Sequence, residues 1–337
     1  MNILIIGGTG LLGSAAAEVL LARGHAVQAM ALPPLPQGAP LPPAMQLIMG
    51  NYTEMTDEEL AARLTGCDGL LFAAGVDERV EGPAPIEEFY RKHNITPLRR
   101  LLRLAKANGV KRAVICGSYF SYFDKLWPEM ELSKWHPYIR SRREQEDMAL
   151  SFADENFSVS VLELPYIFGT QPGRKPVWVF LIELIRGMKL VTLYSKGGSA
   201  MITVRQAAQA MAGALERGNG GACYPLGFEN LTWVQFLKIV HRTMGYKHRG
   251  ILTVPRWLVA VGARGLNRKR EKSGGEGGLN AVKYADLQSR NLFIGRELGC
   301  EPLGVEPDDL EAAIGQSVLL SLAVLDGKAK TLDMKAE

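Results

Sequence analysis

The chain has 337 residues, of which 47% are hydrophobic and 22% are charged, so it can bury a full core in one or two domains. Its 39 basic and 35 acidic residues leave a formal charge of +4, too small over this length to predict a nucleic-acid or acidic-membrane partner. Its apolar runs are shorter than the roughly 18–20 residues that cross a bilayer, and its four cysteines are far apart. We therefore expect a cytoplasmic protein with reduced thiols and no transmembrane segment.

Short apolar runs alternate with longer helical stretches over the first 165 residues, which predicts a parallel sheet covered by helices on both faces. The predicted strands are Ile3–Ile6, Ala26–Met30, Gln46–Met49, Gly69–Ala73, Arg112–Cys116 and Ser158–Leu162. The predicted helices are Leu11–Arg23, Asp57–Leu64, Pro85–Asn108 and Tyr138–Ala153. The expected fold class is α/β: a doubly wound parallel sheet (Rossmann fold) with a smaller, mainly C-terminal α/β domain.

The first predicted strand runs directly into a glycine-rich turn that opens the first helix. In this pattern Gly7 permits the tight bend, Gly10 lets the backbone approach a phosphate, and Gly13 lets helix and strand pack closely. The N-terminus of the helix attracts the pyrophosphate of an NAD-type dinucleotide. The residues of the turn expected to contact it are Gly7, Thr9, Gly10, Leu11, Leu12 and Gly13.

The end of the second strand normally distinguishes NAD from NADP, by an acid or an arginine. Gln28, Ala29 and Met30 supply neither. No lysine or arginine lies between Gly24 and Asn51 to pair with a 2′-phosphate, whereas Gln28 can hydrogen-bond a ribose hydroxyl. The cofactor is therefore expected to be NAD or NADP, with NAD favoured.

The dinucleotide-binding domain is placed at residues 1–165, with a return at 196–226, and the substrate-binding region at 166–195 and 227–337. Two segments interrupt the alternation of strands and helices. Leu32–Pro43 contains six prolines and no charge, and Arg264–Gly278 is rich in basic residues and glycine. Both are predicted to be surface loops. The basic run Arg268-Lys269-Arg270 is either a solvated part of such a loop or an anchor for an anionic partner.

Several further segments resemble the extended short-chain dehydrogenase/reductase family, also called the NAD-dependent epimerase/dehydratase family. They are Gly50-Asn51, Phe72-Ala73-Ala74-Gly75, Asn94, Val110–Ser118, Tyr138, Leu164–Gly169, Val204–Ala208 and Leu231–Trp233. The resemblance implies that Asn51, where the family usually has Asp, lies near the adenine, and that Asn94 shapes the active-site helix. The remaining cofactor contacts that it implies are Ala73, Ala74, Gly75, Asn94, Tyr138, Arg142 and Pro165.

The same resemblance implies a catalytic set of Ser or Thr, Tyr, and a Lys four residues after the Tyr. Ser118 and Tyr138 are in the expected register, but Arg142 stands at the lysine position. Residues i and i+4 share one helix face, so Arg142 places a positive charge beside the phenol and favours its ionisation. Tyr138 would exchange a proton with the substrate oxygen while a hydride passes between substrate carbon and nicotinamide. Ser118 would donate a hydrogen bond to that oxygen, and no metal is expected.

The sequence leaves three functions open. The first is an NAD(P)-dependent oxidoreductase acting on a carbonyl or secondary alcohol of a small organic substrate. Because arginine does not readily release a proton, the second is an inactive dinucleotide-binding regulator resembling the NmrA-like branch. The third is an NAD-dependent epimerase or dehydratase.

Two expectations concern partners. Aromatic residues crowd the stretch after Ser118 and favour an apolar or ring-bearing substrate. They are Tyr119, Phe120, Tyr122, Phe123 and Trp127. The family resemblance also implies a homodimer that packs the two long helices, Pro85–Asn108 and Tyr138–Ala153, into a four-helix interface.

Overall fold

A computed structural model describes residues 1–35 and 38–332 of the chain. Within them the strands are β1 (Asn2–Ile6), β2 (Ala26–Ala31), β3 (Gln46–Met49), β4 (Gly69–Phe72), β5 (Glu81–Pro83), β6 (Arg112–Cys116), β7 (Ser158–Glu163), β8 (Tyr166–Phe168), β9 (Val191–Ser195), β10 (Gly198–Thr203), β11 (Ala222–Pro225), β12 (Glu229–Thr232), β13 (Gly250–Val254), β14 (Gly275–Gly277) and β15 (Asn291–Leu292). The helices are α1 (Leu11–Ala22), α2 (Asp57–Leu64), α3 (Ile86–Tyr90), α4 (Thr96–Ala107), α5 (Tyr119–Leu126), α6 (Leu132–Trp135), α7 (Pro137–Leu150), α8 (Val179–Gly187), α9 (Val204–Arg217), α10 (Trp233–Thr243), α11 (Arg256–Lys272), α12 (Ala281–Gln288) and α13 (Leu310–Leu325). Each predicted strand lies within one residue of its expected bounds.

Seven parallel strands form the larger sheet, in the order β11-β7-β6-β4-β1-β2-β3. The chain moves outward from β1 to β2 and β3 and then returns to place β4 on the other side of β1. The carboxyl ends of β1 and β4 therefore flank the switch point at which ligands bind in open α/β sheets. The predicted doubly wound α/β fold is confirmed.

Apolar cores cover both faces of this sheet. Ala16 and Ala17 of α1 pack with Met211 of α9 on one face. Leu60 of α2 and Leu101 of α4 cover the other. Because both faces are buried, the central strands β1 after Asn2 and β4 are apolar throughout and show no alternation of polar and apolar residues.

A smaller sheet has the order β12-β10-β15, and β8 also pairs with β10. Its core is aromatic, with the rings of Phe168 and Trp178 stacked at a centroid distance of 4.4 Å and packed near Phe236. The segment 196–226, expected to belong with the cofactor domain, divides between the two sheets. Strand β10 lies in the smaller sheet, whereas α9 and β11 pack with the larger one.

The predicted helix Pro85–Asn108 is interrupted by a π-helical turn at Arg91–Ile95, between α3 and α4. Pro97, at the second position of α4, has no N–H group to donate to the regular ladder, which accounts for the break there. Asn94 lies in the wider turn and is fully buried.

The prediction of a surface loop at Arg264–Gly278 is wrong. Helix α11 continues to Lys272, and β14 pairs antiparallel with β5. Helix α11 packs along α12, a tertiary contact that basic and glycine-rich composition does not indicate. Within Leu32–Pro43 the described residues form no helix or strand, and Pro36 and Gln37 lie outside the described residues, as does the side chain of Lys269. In the described part of the chain, no helix is long and apolar enough to cross a membrane.

Candidate active site

The glycine-rich turn lies at the switch point between β1 and β4. Gly7 has a left-handed φ of +86°, and a Cβ there would lie 2.7 Å from the carbonyl oxygen of Ala73. A Cβ on Gly13 would lie 2.3 Å from the carbonyl oxygen of Gly7. Both positions therefore need glycine. At Gly10 the nearest atom to a Cβ would be the Gly7 carbonyl oxygen at 3.2 Å, a milder restriction.

The N-terminus of α1 fits the pyrophosphate of a dinucleotide. Its N-cap residue, Gly10, has no side chain to bond the N–H groups of the first turn, and that turn carries no acidic residue. Leu11 and Leu12 are half-buried, so their backbone stays close to the surface. Uncapped N–H groups and the positive end of the helix dipole favour a phosphate at this position.

Two side chains from the loop after β8 contact this turn, and the sequence pattern identified neither. Gln171 Nε2 donates to the Thr9 carbonyl at 3.2 Å and to Ser14 Oγ at 3.1 Å. Arg174 donates to the same carbonyl through Nε at 3.2 Å and Nη2 at 3.1 Å. Burial lowers the pKa of Arg174, but a guanidinium stays charged at neutral pH. Arg174 thus places a positive charge beside the N-terminus of α1.

The loop after β4 borders the same turn. The Ala73 N–H donates to the Ile6 carbonyl at 3.0 Å, which brings Ala73 against Gly7. Ala74 is half-buried and Gly75 is exposed. A Cβ on Gly75 would lie 2.6 Å from Asn94 Oδ1, so this loop packs directly on the π-helical turn.

The two residues expected near the adenosine lie in different places. Asn51 follows Gly50, whose N–H donates to the Ala31 carbonyl at 3.0 Å, so Asn51 lies beside the end of β2. Its amide is occupied locally, by Thr53 and Glu54. Gln28 is level with Leu4 in the middle of β2 and does not lie at the carboxyl edge beside the glycine turn. The structure therefore does not bring Gln28 together with the other predicted cofactor residues.

Tyr138 and Arg142 meet on α7, as their spacing predicts. Arg142 Nε donates to Tyr138 Oη at 3.1 Å, and both side chains are buried. Burial raises the pKa of Tyr138, and the charge of Arg142 opposes this without cancelling it. The expectation that the cation makes a phenolate is therefore not met by Arg142 alone, and the phenol keeps its proton at neutral pH.

The other donors of Arg142 are held by a buried network. Nη1 donates to Gln145 Oε1 at 2.7 Å, and Nη2 donates to the Val76 carbonyl at 3.2 Å. Gln145 Nε2 donates to the Asn94 carbonyl at 2.7 Å. The Asn94 amide completes the network through Val76, accepting from its N–H at 2.8 Å and donating to its carbonyl at 3.1 Å. The sequence analysis did not identify Gln145. Its position three residues after Arg142, on the same helix face, is the sequence signal that could have indicated it.

Ser118 is buried and is the N-cap residue of α5. Its Oγ accepts a hydrogen bond from the Phe120 N–H at 3.4 Å. The rings of Phe120 and Tyr138 pack edge to face with centroids 6.3 Å apart, so Ser118 and Tyr138 border the same region. Pro165, another predicted cofactor contact, directly follows Leu164, whose carbonyl accepts from the Tyr119 N–H at 3.0 Å.

Glu78 brings a carboxyl group to this region that the sequence pattern did not indicate. A Cβ on Gly278 would lie 2.8 Å from the Glu78 carbonyl oxygen, and the Gly278 carbonyl accepts from the Tyr138 N–H at 3.0 Å. Partial burial, followed by the charge of Asp77, raises the pKa of Glu78. The charge of Glu78 is in turn one of the influences that raise the pKa of Tyr138.

Aromatic side chains surround the predicted catalytic residues. Tyr166 and Tyr284 share a hydrogen bond between their hydroxyl groups at 2.9 Å. Tyr119 bonds Ser199 through its hydroxyl at 3.1 Å, and the ring of Phe120 packs edge to face on that of Tyr284. Tyr284 comes from α12, in the part of the chain where the family resemblance fades, so the sequence offered no signal for it.

A buried ionic cluster joins α5 to α7 behind the site. Lys125 Nζ lies 2.6 Å from a Glu146 oxygen and 3.0 Å from a Glu163 oxygen. Arg143 also pairs with Glu146, at 2.6 Å. Burial, with the neighbouring Glu146 charge, raises the pKa of Glu163 from 4.5 to about 8. Helix α5, which Ser118 caps, is thereby tied to α7, the helix that carries Tyr138.

The chain matches the NAD dependent epimerase/dehydratase family over residues 3–227 and belongs to that family. A curated relative, the 3-beta-hydroxysteroid dehydrogenase of Mycolicibacterium neoaurum, is 27% identical over 120 residues. That match covers 35% of this chain and 32% of the relative, about a third of the relative's length. The family supports an enzyme of the short-chain dehydrogenase type with a nicotinamide cofactor.

Solved structures with similar folds cover nearly the whole chain. The crystal structure of gox2253 has a TM-score of 0.74 at 23% identity, over 97% of this chain and 99% of that one. PA4631, a nucleoside-diphosphate-sugar epimerase from Pseudomonas aeruginosa, has a TM-score of 0.68 at 15% identity, over 98% and 99%. UDP-glucuronic acid 4-epimerase from Bacillus cereus in complex with NAD has a TM-score of 0.65 at 15% identity, over 97% and 98%. At these identities the likeness shows the fold.

The raised pKa of Glu163 predicts a pH-dependent stability. Between the ordinary glutamate pKa and about 8, the folded protein holds a proton that the unfolded chain has released. The free energy of unfolding should therefore fall as pH rises through this interval, by up to about 1.4 kcal/mol per pH unit. Glu163→Gln should flatten the slope in urea unfolding measured across it. Glu155→Gln, at an exposed position, is the control, and an unaltered slope in Glu163→Gln would contradict the assignment.

Proposed function

We propose that the protein is an NAD(P)-dependent oxidoreductase that acts on a carbonyl or secondary alcohol. NAD is the favoured cofactor because the sequence between Gly24 and Asn51 contains no lysine or arginine to pair with a 2′-phosphate. The observation that supports the proposed reaction most directly is the hydrogen bond from Arg142 Nε to Tyr138 Oη, at 3.1 Å. It joins a proton-carrying group to a fixed cation, and Phe120, two residues after Ser118, packs on the ring of Tyr138. When bound, the nicotinamide supplies the hydride donor or acceptor.

The protonation of Tyr138 favours carbonyl reduction at neutral pH. Because burial keeps the phenol protonated, Tyr138 Oη can donate its proton to a substrate oxygen as negative charge develops there. Ser118 Oγ donates a hydrogen bond to the same oxygen. Arg142 then stabilises the phenolate that remains.

Arg142 serves as a positioned charge in this scheme. Its guanidinium keeps its proton, so it does not take part in a proton relay. Gln145 and the Val76 carbonyl orient the guanidinium of Arg142 so that its Nε faces Tyr138. The arginine at the lysine position is thus accommodated by partners of its own, which supports an active enzyme over the regulator hypothesis.

The proposed substrate is apolar or ring-bearing. The aromatic side chains around Tyr138, among them Phe120 and Tyr284, offer faces and edges against which a ring can pack. The curated relative is a 3-beta-hydroxysteroid dehydrogenase, which supports the same substrate class. A homodimer through the two long helices remains a prediction from the family.

Tyr138→Phe should lower kcat by about a hundredfold or more, because it removes the group that donates the proton. Dinucleotide affinity should stay close to that of the unaltered protein. A screen of ring-bearing ketones with NADH and NADPH, followed by calorimetry, measures both quantities. Tyr246→Phe is the matched control, since Tyr246 packs against the core of the smaller sheet. If Tyr138→Phe keeps full turnover, Tyr138 is not the proton donor. If the unaltered protein binds the dinucleotide but reduces none of the ketones, the hypothesis of a dinucleotide-binding regulator is favoured.

Arg142→Lys keeps the charge and restores the family's usual residue, yet we expect it to lower kcat by about tenfold or more. A lysine donates from a single nitrogen, so Gln145 Oε1 and the Val76 carbonyl would lose buried charged donors. Arg140→Lys, on the same helix but half-buried, is the control. Equal or higher activity in Arg142→Lys would show that the network does not serve the reaction.

Arg174→Met should weaken dinucleotide binding by about tenfold, because it removes a charged donor beside the proposed pyrophosphate position. NAD and NADP share the pyrophosphate, so calorimetry should show the same loss for both. Arg186→Met, on α8 and paired with Asp326, is the control. A loss confined to NADP would assign Arg174 to the 2′-phosphate, and no loss would place the pyrophosphate elsewhere.

A further inference from the structure

Helix α11 exposes large apolar side chains near its N-terminus. Trp257 is 66% exposed, Leu258 45% and Val261 52%. Large exposed apolar patches mark interaction sites, and a tryptophan is the costliest of these residues to leave in water. This end of the helix therefore has the character of an interaction site.

The same face of α11 is cationic further along. At 100° per residue, Trp257, Leu258 and Val261 fall with Arg264, Arg268 and Lys272 within an arc of about 120°. The three basic residues are exposed, and none forms an ion pair with a described residue. We call these six residues the α11 surface. No acidic side chain among the described residues of α11 lies on it.

The opposite side of α11 is occupied by the protein itself. Asn267 Nδ2 donates to Asn280 Oδ1 at 3.2 Å, and Asn267 Oδ1 accepts from the Ala281 N–H at 3.1 Å, at the start of α12. Arg270 pairs with Glu81 on β5. These contacts fix the rotation of the helix, so the α11 surface stays turned outward.

Neighbouring strands extend the apolar part. Leu252 on β13 is paired in register with Leu193 on β9, and both side chains are exposed. Residues paired across strands point to the same side of a sheet. Only Pro255 separates the end of β13 from the start of α11, so this leucine pair lies close to Trp257.

A cleft between α11 and α12 lies within this region, with a volume of about 440 Å³. Its lining combines the apolar side chains of Trp257, Val261 and Val282 with the cations of Arg264 and Lys283. One acid, Asp286, also lines it and is paired with Arg256 at 2.7 Å. This combination of apolar and basic lining residues fits a molecule with an acyl chain and an anionic head group.

We infer that the α11 surface docks on a bilayer that contains anionic phospholipids. Trp257, Leu258 and Val261 enter the interfacial layer, where an indole is stable, while Arg264, Arg268 and Lys272 contact the phosphates. Long basic side chains can lie along apolar groups and still reach the head groups. The overall charge of +4 gives no sign of this local cluster of basic residues. The inferred contact is peripheral, and it differs from the expectation, drawn from the overall charge, that the protein has no membrane partner.

Sedimentation with vesicles tests this inference on the full-length protein. The protein should bind vesicles that contain phosphatidylglycerol, bind those of pure phosphatidylcholine far more weakly, and lose binding as salt is raised. Arg264→Gln, Arg268→Gln and Lys272→Gln together should lower the partition coefficient roughly a hundredfold. Trp257→Ser should also weaken binding. Neither cofactor nor turnover is needed, so this result is independent of the proposed reaction.

The control is a triple variant with the same change in charge at exposed sites elsewhere, Lys111→Gln, Arg217→Gln and Lys238→Gln. It should bind vesicles like the unaltered protein, and circular dichroism should show that both triple variants are folded. An equal loss in the control, or no binding by the unaltered protein, would overturn the inference. A fall in oligomeric mass in Trp257→Ser, without vesicle binding by the unaltered protein, would assign the α11 surface to a second copy of the chain instead.

Discussion

A charged guanidinium that is almost completely buried needs a partner for nearly every donor, and this requirement organises the centre of the molecule. Arg142 meets it with Tyr138 Oη, Gln145 Oε1 and the Val76 carbonyl. Gln145 then needs an acceptor for its own N–H group, and a carbonyl in the π-helical turn provides it. The loop after β4 and the π-helical turn, whose break follows from Pro97, thus both supply partners to the network that holds this one cation.

Burial then controls the chemistry. Removing the Tyr138 phenol from water disfavours its charged form more than Arg142 favours it, so the group is an acid before it is a base. Glu163 shows the same effect behind the site, where its carboxyl shares one lysine with Glu146. Burial therefore raises the pKa of both groups, Tyr138 on α7 and Glu163 beside it. Protons are retained near the reaction centre, which suits a site that delivers a proton to a carbonyl oxygen.

Features that follow from local rules could be predicted from the sequence. The strands come from apolar runs, and the glycine turn comes from steric limits at Gly7 and Gly13 that any strand-to-helix crossing of this kind imposes. Tyr138 and Arg142 meet because i and i+4 share a face. Arg174 and Tyr284 could not be found in this way, since each reaches the site from a distant segment through tertiary packing. Composition was misleading at Arg264–Gly278, because basic residues and glycine suit a loop and the exposed face of a helix equally well.

Holding a dinucleotide and using it depend on separate parts of the fold. The proposed phosphate site combines backbone N–H groups of the α1 N-terminus with the cation of Arg174, and this arrangement requires nothing of α7. The proton chemistry depends instead on Tyr138 and the network around Arg142, which in turn requires nothing of the glycine turn. The arginine at the lysine position therefore bears on the proposed turnover without weakening the physical basis for binding. Because Gln145, Asn94 and Val76 are arranged to satisfy a guanidinium and not an ammonium group, the substitution is integrated into the packing of this protein, which is what an active variant of the family requires.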